Sequence, residues 1–90
     1  MNLYVAGSGI VVALDAATGS ELWRTDLPRG GVRCLLVEHE GTVFVTSNGR
    51  AFALNARSGR ILWENGLKGL GYGDIPMSVG GRHTLLLTND

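Results

Sequence analysis

The sequence predicts an all-β protein made of repeated antiparallel sheets, and two observations support that class. First, every apolar run is short and ends in Gly, Asn, Asp or Ser, so no run has the length or the period of a helix. Second, residues 3–28 align with residues 43–68 at a constant offset of 40 positions without a gap. A period of about 40 residues with four strands in each period is typical of β-propeller blades.

Short strands are expected along the whole chain, because Val, Leu, Phe, Tyr and Trp are concentrated in segments that turn residues separate. The predicted strands are 3–6, 10–15, 20–25, 33–38, 42–46, 50–55, 60–65, 75–79 and 84–88. Grouped by the repeat, they give a partial blade at 3–28, a complete blade at 33–68 and the start of a further blade at 75–88. Residues 1–90 are thus expected to form one repeat region of about two and a quarter blades. Such a region is part of a larger propeller or is completed by other copies of the chain.

The two aligned copies share identical residues at positions that matter for a sheet, while the charged residues around them differ. The identical pairs are Val5/Val45, Gly9/Gly49, Ala13/Ala53, Leu14/Leu54, Ala16/Ala56, Gly19/Gly59, Leu22/Leu62, Trp23/Trp63 and Leu27/Leu67. Chance does not place Trp on Trp and Gly on Gly in this way. A third, incomplete copy is expected to begin near Thr84.

The best-preserved stretch, ALDAATGSELW at residues 13–23, predicts a tight turn between two strands. Asp15 ends a strand and can accept hydrogen bonds from the backbone amides that follow it. Thr18 can add its hydroxyl to the same turn, and Gly19 supplies the positive φ that closes the hairpin. The equivalent residues of the second copy are Asn55, Ser58 and Gly59.

A tryptophan follows each turn, and each is expected to pack between neighbouring blades. Ala13 leaves a shallow place on the sheet, and Trp23 lies on the next strand, where a large flat indole can lock the angle between stacked sheets. Ala53 and Trp63 hold the same positions in the second copy. By the usual cost of emptying an aromatic core site, Trp63→Ala is expected to lose about 3–5 kcal/mol of stability.

The pattern Ala-x-Asp-x-x-Thr-Gly-x-x-x-Trp is complete at residues 13–23, and residues 53–63 repeat it with Asn55 and Ser58 as the replacements. It resembles the tryptophan-docking motif of quinoprotein-type repeats, also called PQQ-like repeats. The resemblance implies a β-propeller of four-stranded blades with the motif tryptophans packed between them. It does not imply catalysis, because the family includes pyrroloquinoline-quinone dehydrogenases, a lipoprotein that assists outer-membrane barrel assembly, and sensor domains.

The resemblance also implies what a quinone enzyme would need: acidic and amide ligands around calcium, a basic residue and a Trp against the quinone, and often a pair of adjacent cysteines. The chain has a single cysteine, and both tryptophans belong to the repeated motif. No catalytic residue can be carried over and no cofactor is expected. The sequence therefore favours a non-catalytic scaffold or interaction module. The alternative is part of a quinone-dependent dehydrogenase whose active-site residues lie outside this chain.

Three segments look like ligand sites, and each has a structural explanation. Glu38, His39 and Glu40 resemble metal ligands, but on a strand His39 points away from both glutamates, so a solvated strand end is expected. The glycine-rich segment 69–74 lacks the third glycine of a phosphate loop and is expected to connect two blades. Cys34 lies in an apolar run and is expected to be a buried small residue. No residue is assigned to a catalytic, cofactor or metal site.

The charge pattern limits the classes of partner. Eight basic and eight acidic residues cancel and are scattered, which argues against nucleic acid or anionic lipid as partners. Neither a signal-peptide pattern nor an apolar run of membrane-helix length occurs, so a soluble chain without membrane insertion is expected, in a compartment that the sequence leaves open. The expected partners are other copies of the chain, the remaining blades of a longer chain, or a protein that pairs with an edge strand such as 84–88.

Overall fold

In the computed structural model of the protein, residues 1–83 are described, so the predicted strand 84–88 lies outside the described residues. Strands and turns make up this part of the chain, and within it no helix has the length and hydropathy needed to cross a membrane. The strands are β1 (Asn2–Gly7), β2 (Ile10–Asp15), β3 (Glu21–Asp26), β4 (Cys34–His39), β5 (Thr42–Ser47), β6 (Arg50–Asn55), β7 (Ile61–Asn65), β8 (Ser78–Val79) and β9 (Arg82–His83).

Within each sheet, strands that follow one another along the chain pair as antiparallel neighbours. A three-stranded sheet has the order β1-β2-β3, a four-stranded sheet has the order β4-β5-β6-β7, and β8 pairs with β9. The repeat keeps its register, because Tyr4 pairs with Ala13 in the first sheet and Phe44 pairs with Ala53 in the second. The fold is therefore all-β and consists of partial β-propeller blades, as the repeat predicts.

Equivalent hairpins of the two sheets use the same kind of turn. Ser8 and Gly9 join β1 to β2 with φ angles of 53° and 73°, and Asn48 and Gly49 join β5 to β6 with φ angles of 51° and 73°. Two consecutive residues with positive φ match the right-handed twist of the strands that they connect. A short turn of this kind lets each strand return directly alongside its predecessor.

The core lies between the first and the second sheet. Val43, Val45, Phe52 and Leu54 point from one face of β5 and β6 and are fully buried, in a cluster that also contains Val11 of β2. Since alternate residues of a strand point to opposite faces, the same strands present a second face to the other side. The first sheet thus covers one face of the second, and the two behave as stacked layers.

The predicted strand 75–79 is mostly wrong, because only Ser78–Val79 forms a strand there. Pro76 explains the loss, since a proline has no backbone N–H to donate to a neighbouring strand. The next strand begins at Arg82, before the predicted start at residue 84. For the first seven strands the predicted and observed boundaries agree to within one residue.

Candidate functional site

The first copy of the motif forms a closed turn after β2. Asp15 Oδ1 accepts hydrogen bonds from the backbone amides of Ala17 at 2.8 Å and Thr18 at 3.1 Å. The Gly19 amide donates to the Asp15 carbonyl at 2.7 Å, and Gly19 has a φ of 79°. Thr18 Oγ1 accepts from the Ser20 amide at 3.2 Å. This is Asx-turn geometry, in which the side-chain oxygens bond to the backbone of their own turn.

The second copy has the same geometry with different side chains. Asn55 Oδ1 accepts from the amides of Arg57 at 2.8 Å and Ser58 at 3.1 Å. The Gly59 amide donates to the Asn55 carbonyl at 2.8 Å, and its φ is also 79°. An amide and a carboxylate can replace one another here because each offers one oxygen to the same two donors.

Trp23 joins the first sheet to the turn of the second. Its Nε1 donates to the Ala56 carbonyl at 2.9 Å, and Thr25 Oγ1 donates to the Gly59 carbonyl at 2.6 Å. The indole lies so close to Gly59 that a Cβ at that position would overlap the ring. The Tyr4 ring packs near the indole with a centroid separation of 6.0 Å, and its hydroxyl donates to the Ala56 carbonyl at 3.4 Å. Thus Gly59 is needed both for its positive φ and for its missing side chain.

In residues 1–83, no turn lies against Trp63 as the Gly59 turn lies against Trp23. Trp63 is 49% exposed, and its ring approaches Phe44 of its own sheet with a centroid separation of 6.4 Å. At the other end of the array, Gly19 has nothing within 4 Å of an added Cβ. Among the described residues, the tryptophan of the first sheet therefore contacts a turn, while the turn of the first sheet is uncovered. In the second sheet the turn is covered and the tryptophan is half exposed.

Each motif alanine lies opposite its tryptophan. Ala13 pairs with Trp23 across β2 and β3, and Ala53 pairs with Trp63 across β6 and β7. A register shift follows each alanine at the next residue, which marks a β-bulge in both sheets. Both alanines are almost fully buried. The small side chain leaves room beside each indole.

The other candidate segments have structural partners. His39 is only 24% exposed, and a Cβ at Gly80 would overlap its ring, so the expected solvated strand end is wrong for this residue. Cys34 is half-buried rather than buried, and its Sγ lies 3.4 Å from Ser47 Oγ. The segment 69–74 lies between β7 and β8, as expected of a connection.

Among residues 1–83, the local geometry lowers the pKa values of three carboxylates, those of Asp15, Glu21 and Glu64. The backbone amides of Ala17 and Thr18 stabilise the charged form of Asp15 and hold its pKa below the usual 3.8. Arg50 and then Arg29 lower the pKa of Glu64 below its usual 4.5, with hydrogen bonds at 2.9 Å and 2.8 Å to Glu64 Oε2. In each case the lowered pKa reflects a surface carboxylate whose charged form is stabilised by its neighbours.

Three contributors to the Trp23 contact were not singled out by the sequence. Tyr4 and Thr25 donate from the first sheet, and the Ala56 carbonyl accepts from both Tyr4 and Trp23. The identical pair Ala16/Ala56 was a signal for that position, because it lies inside the motif. No signal pointed to Thr25, whose equivalent in the second copy is Asn65.

A family model that covers both sheets identifies the family of the chain. A family model described as outer membrane protein assembly factor BamB, of the PQQ-like repeat type, matches residues 4–90. The chain belongs to this PQQ-like repeat family. No curated protein matches the chain in sequence. Because the match extends over both sheets, the family assignment and the strand order describe the same repeated unit.

The calcium and quinone site of enzymes in the PQQ-like repeat family can be compared with the residues available here. Within residues 1–83, no three His, Cys, Asp or Glu side chains are grouped as a metal site requires.

Proposed function

We propose that the chain is a non-catalytic β-propeller repeat module that acts as a scaffold or protein-interaction surface. In this proposal it works as part of a larger propeller or as a ring of identical chains. The contact of Trp23 with the turn at Ala56 and Gly59 carries the proposal, because it uses the motif to fasten one blade to the next. The description of the matched family as an assembly factor also supports a scaffold role.

The hydrogen bonds of the motif support this function. Asp15, Thr18, Asn55 and Ser58 all direct side-chain oxygens to backbone amides of their own turns. In the part of the chain that is described, no buried side-chain nitrogen or oxygen lacks a hydrogen-bond partner. Polar groups that are paired in this way stabilise a turn or a core, whereas catalysis needs a group that is directed at a substrate.

The exposed apolar residues support an interaction surface. Leu3, Val5 and Leu22 of the first sheet are 50%, 41% and 50% exposed, and Leu62 and Trp63 of the second are 50% and 49% exposed. Leu3 and Val5 lie on one face of β1, and neighbouring apolar side chains that are exposed in this way are typical of places where another protein binds. The two outer faces of the array are thus suited to further blades or to partner chains.

Binding of pyrroloquinoline quinone in the presence of calcium tests the proposal. Isothermal titration of the folded chain should give no saturable heat, and a quinone dehydrogenase of the family is the positive control. Saturable binding that disappears when calcium is chelated would contradict the non-catalytic role. That result would place quinone-binding residues within this chain, whereas the dehydrogenase alternative with its active-site residues outside the chain is tested by the same titration on a longer protein that contains it.

A further inference from the structure

Within residues 1–83, Trp63 and the turn Asp15–Gly19 are two halves of a contact that the chain makes once internally, and neither has its matching half there. We propose that Trp63 of one copy docks onto the turn Asp15–Gly19 of a second copy, in a head-to-tail contact. The proposal rests on the proposed function and names the partner of that surface as another copy of this chain. The repeat supports it, because Trp63 lies on the last strand of the second sheet and the uncovered turn Asp15–Gly19 lies on the first sheet.

The internal contact is the template for the proposed one. Trp23 Nε1 donates to the Ala56 carbonyl at 2.9 Å, and the indole covers Gly59. Forty positions separate Trp23 from Trp63, and the same interval separates Ala16 from Ala56. In the proposed contact, Trp63 Nε1 donates to the Ala16 carbonyl of the second copy, and its indole covers the second copy's Gly19.

The tryptophan half of the contact is present on the second sheet. Trp63 lies opposite Ala53, as Trp23 lies opposite Ala13. Trp63 is 49% exposed and lies beside an apolar groove of about 240 Å³, whose lining includes Phe44, Ala51 and Val79. An exposed indole next to an apolar groove gains from a partner that buries the ring and accepts a hydrogen bond from its N–H.

The turn half is already formed on the first sheet. Gly19 has the same φ of 79° as Gly59, and nothing lies within 4 Å of the place where its Cβ would be. The Ala16 residue is exposed, whereas its equivalent, Ala56, is 6% exposed. Because the turn has its bound shape before a partner arrives, little conformational entropy would be lost when it binds.

The apolar faces around these two features also correspond. Leu3 and Val5 are half exposed on the first sheet, and their equivalents 40 positions later, Val43 and Val45, are fully buried against that sheet. A second copy that docks by the proposed contact would bury Leu3 and Val5 in the same way. Since the two halves lie on different surfaces of one chain, the contact is heterologous, and repetition leads to a ring or a filament.

Strand β9 (Arg82–His83) competes with this docking. β1, β5 and β9 begin at Asn2, Thr42 and Arg82, each 40 residues after the one before, so they are equivalent strands of the repeat. In the proposed contact, β1 of a second copy would therefore take the place of β9 beside β8. The pairing of β8 with β9 involves only Ser78/His83 and Val79/Arg82. The docking copy must displace this short pairing, so we expect self-association to depend on protein concentration.

Two single variants and their mixture test the contact by light scattering after gel filtration. Trp63→Ala removes the indole, and Gly19→Ala adds a methyl group that would overlap it. The wild-type chain should form assemblies that grow with concentration, and each variant alone should be monomeric. An equal mixture should form a dimer and nothing larger, because only Trp63 of the Gly19→Ala chain and Gly19 of the Trp63→Ala chain can still meet.

The controls separate the contact from loss of folding. Gly69→Ala introduces the same methyl group at a positive φ of 90° with open space around it, and it should assemble like the wild type. Trp63→Phe keeps an aromatic ring but removes the N–H, and it should weaken association by about tenfold. Circular dichroism should show native strand signal for every variant.

Three results would overturn the proposal. These are a wild-type chain that stays monomeric at the highest soluble concentration, variants that assemble like the wild type, and a mixture of variants that does not dimerise. None of them bears on the quinone titration, so failure of the self-docking contact can be told from failure of the non-catalytic role.

Discussion

The two copies of the motif have almost the same backbone and opposite surroundings. In the first copy, Trp23 is engaged with the next sheet and the turn around Gly19 is open. In the second, the turn around Gly59 is covered and Trp63 is half exposed. Each copy of the motif therefore offers a tryptophan on one side and a turn on the other. The position of the copy in the array decides which of the two contacts a neighbouring sheet.

The two copies also differ in charge. Arg24 of the first sheet pairs with Glu21 at 2.8 Å on its own strand, and the equivalent residue of the second sheet, Glu64, pairs with Arg29 and Arg50. The turns differ in the same sense, because Asp15 carries a charge and Asn55 does not. Since both turns have matching hydrogen bonds, charge can vary where the geometry is conserved.

The largest expected difference is between the two tryptophans. Trp23→Ala should destabilise the chain by about 3 kcal/mol, because it empties an aromatic site between two sheets and leaves the Ala56 carbonyl without its indole donor. Trp63→Ala should cost about 1 kcal/mol in the monomer, because half of that residue is already in water. This is less than the sequence-based expectation of about 3–5 kcal/mol for Trp63, which assumed a buried ring.

Urea unfolding at a concentration low enough to keep the chain monomeric measures both losses. Equal destabilisation by the two substitutions would contradict the comparison. A Trp63→Ala cost that rises with protein concentration would sharpen it, since self-docking would then bury Trp63.

A smaller difference is expected between the two motif glycines. Gly59→Ala should cost about 2–3 kcal/mol, because the methyl group must displace the Trp23 indole and the residue has a positive φ. Gly19→Ala has only the cost of the positive φ, about 1 kcal/mol. Thermal unfolding of the two variants compares them directly, and a Gly19 variant as damaged as the Gly59 variant would show that the first turn is covered in solution.

The smallest expected effect is on pH dependence. The lowered pKa of Asp15 means that its contribution to stability is present above the ordinary value of 3.8 and is lost as the pH falls through the lower folded value. Asp15→Asn should therefore make the melting temperature fall less steeply below about pH 4. The matched variant Asn55→Asp should make it fall more steeply, because it places a carboxylate in an equivalent turn.

Melting curves between neutral pH and about pH 2 measure this slope. Glu21 and Glu64 also have lowered pKa values, so the slope should decrease in Asp15→Asn without vanishing. Identical acid slopes for the wild type and both variants would show that these turns do not respond to charge.

Much of the fold could be predicted from the sequence, because a strand of alternating residues and a turn of Asp, Thr and Gly are local features. The strand order and the blade period follow from repetition, which needs no knowledge of long-range contacts. Prediction was weaker after residue 69, where Pro76 and several glycines remove the regular alternation. There only Ser78–Val79 and Arg82–His83 form strands in the described residues.

The candidate contact was only partly accessible from the sequence. The motif residues and the role of the turn could be proposed from Asp15, Gly19 and Trp23, because their chemistry restricts what each can do. The acceptor of the indole N–H could not, because Trp23 and Ala56 are far apart in the chain. The same holds for Gly80 against the His39 ring, which made a strand end that looked solvated a packed one.

The sequence alone determined the class of the fold, the period and the two turns, because these depend on residues close together in the chain. The tertiary structure alone decided which tryptophan is covered and which turn is open, since Trp23 and Trp63 are chemically identical. A motif specifies what a residue can bind. Whether it binds depends on which neighbour lies next to it in space, and that neighbour is set by the stacking of whole sheets.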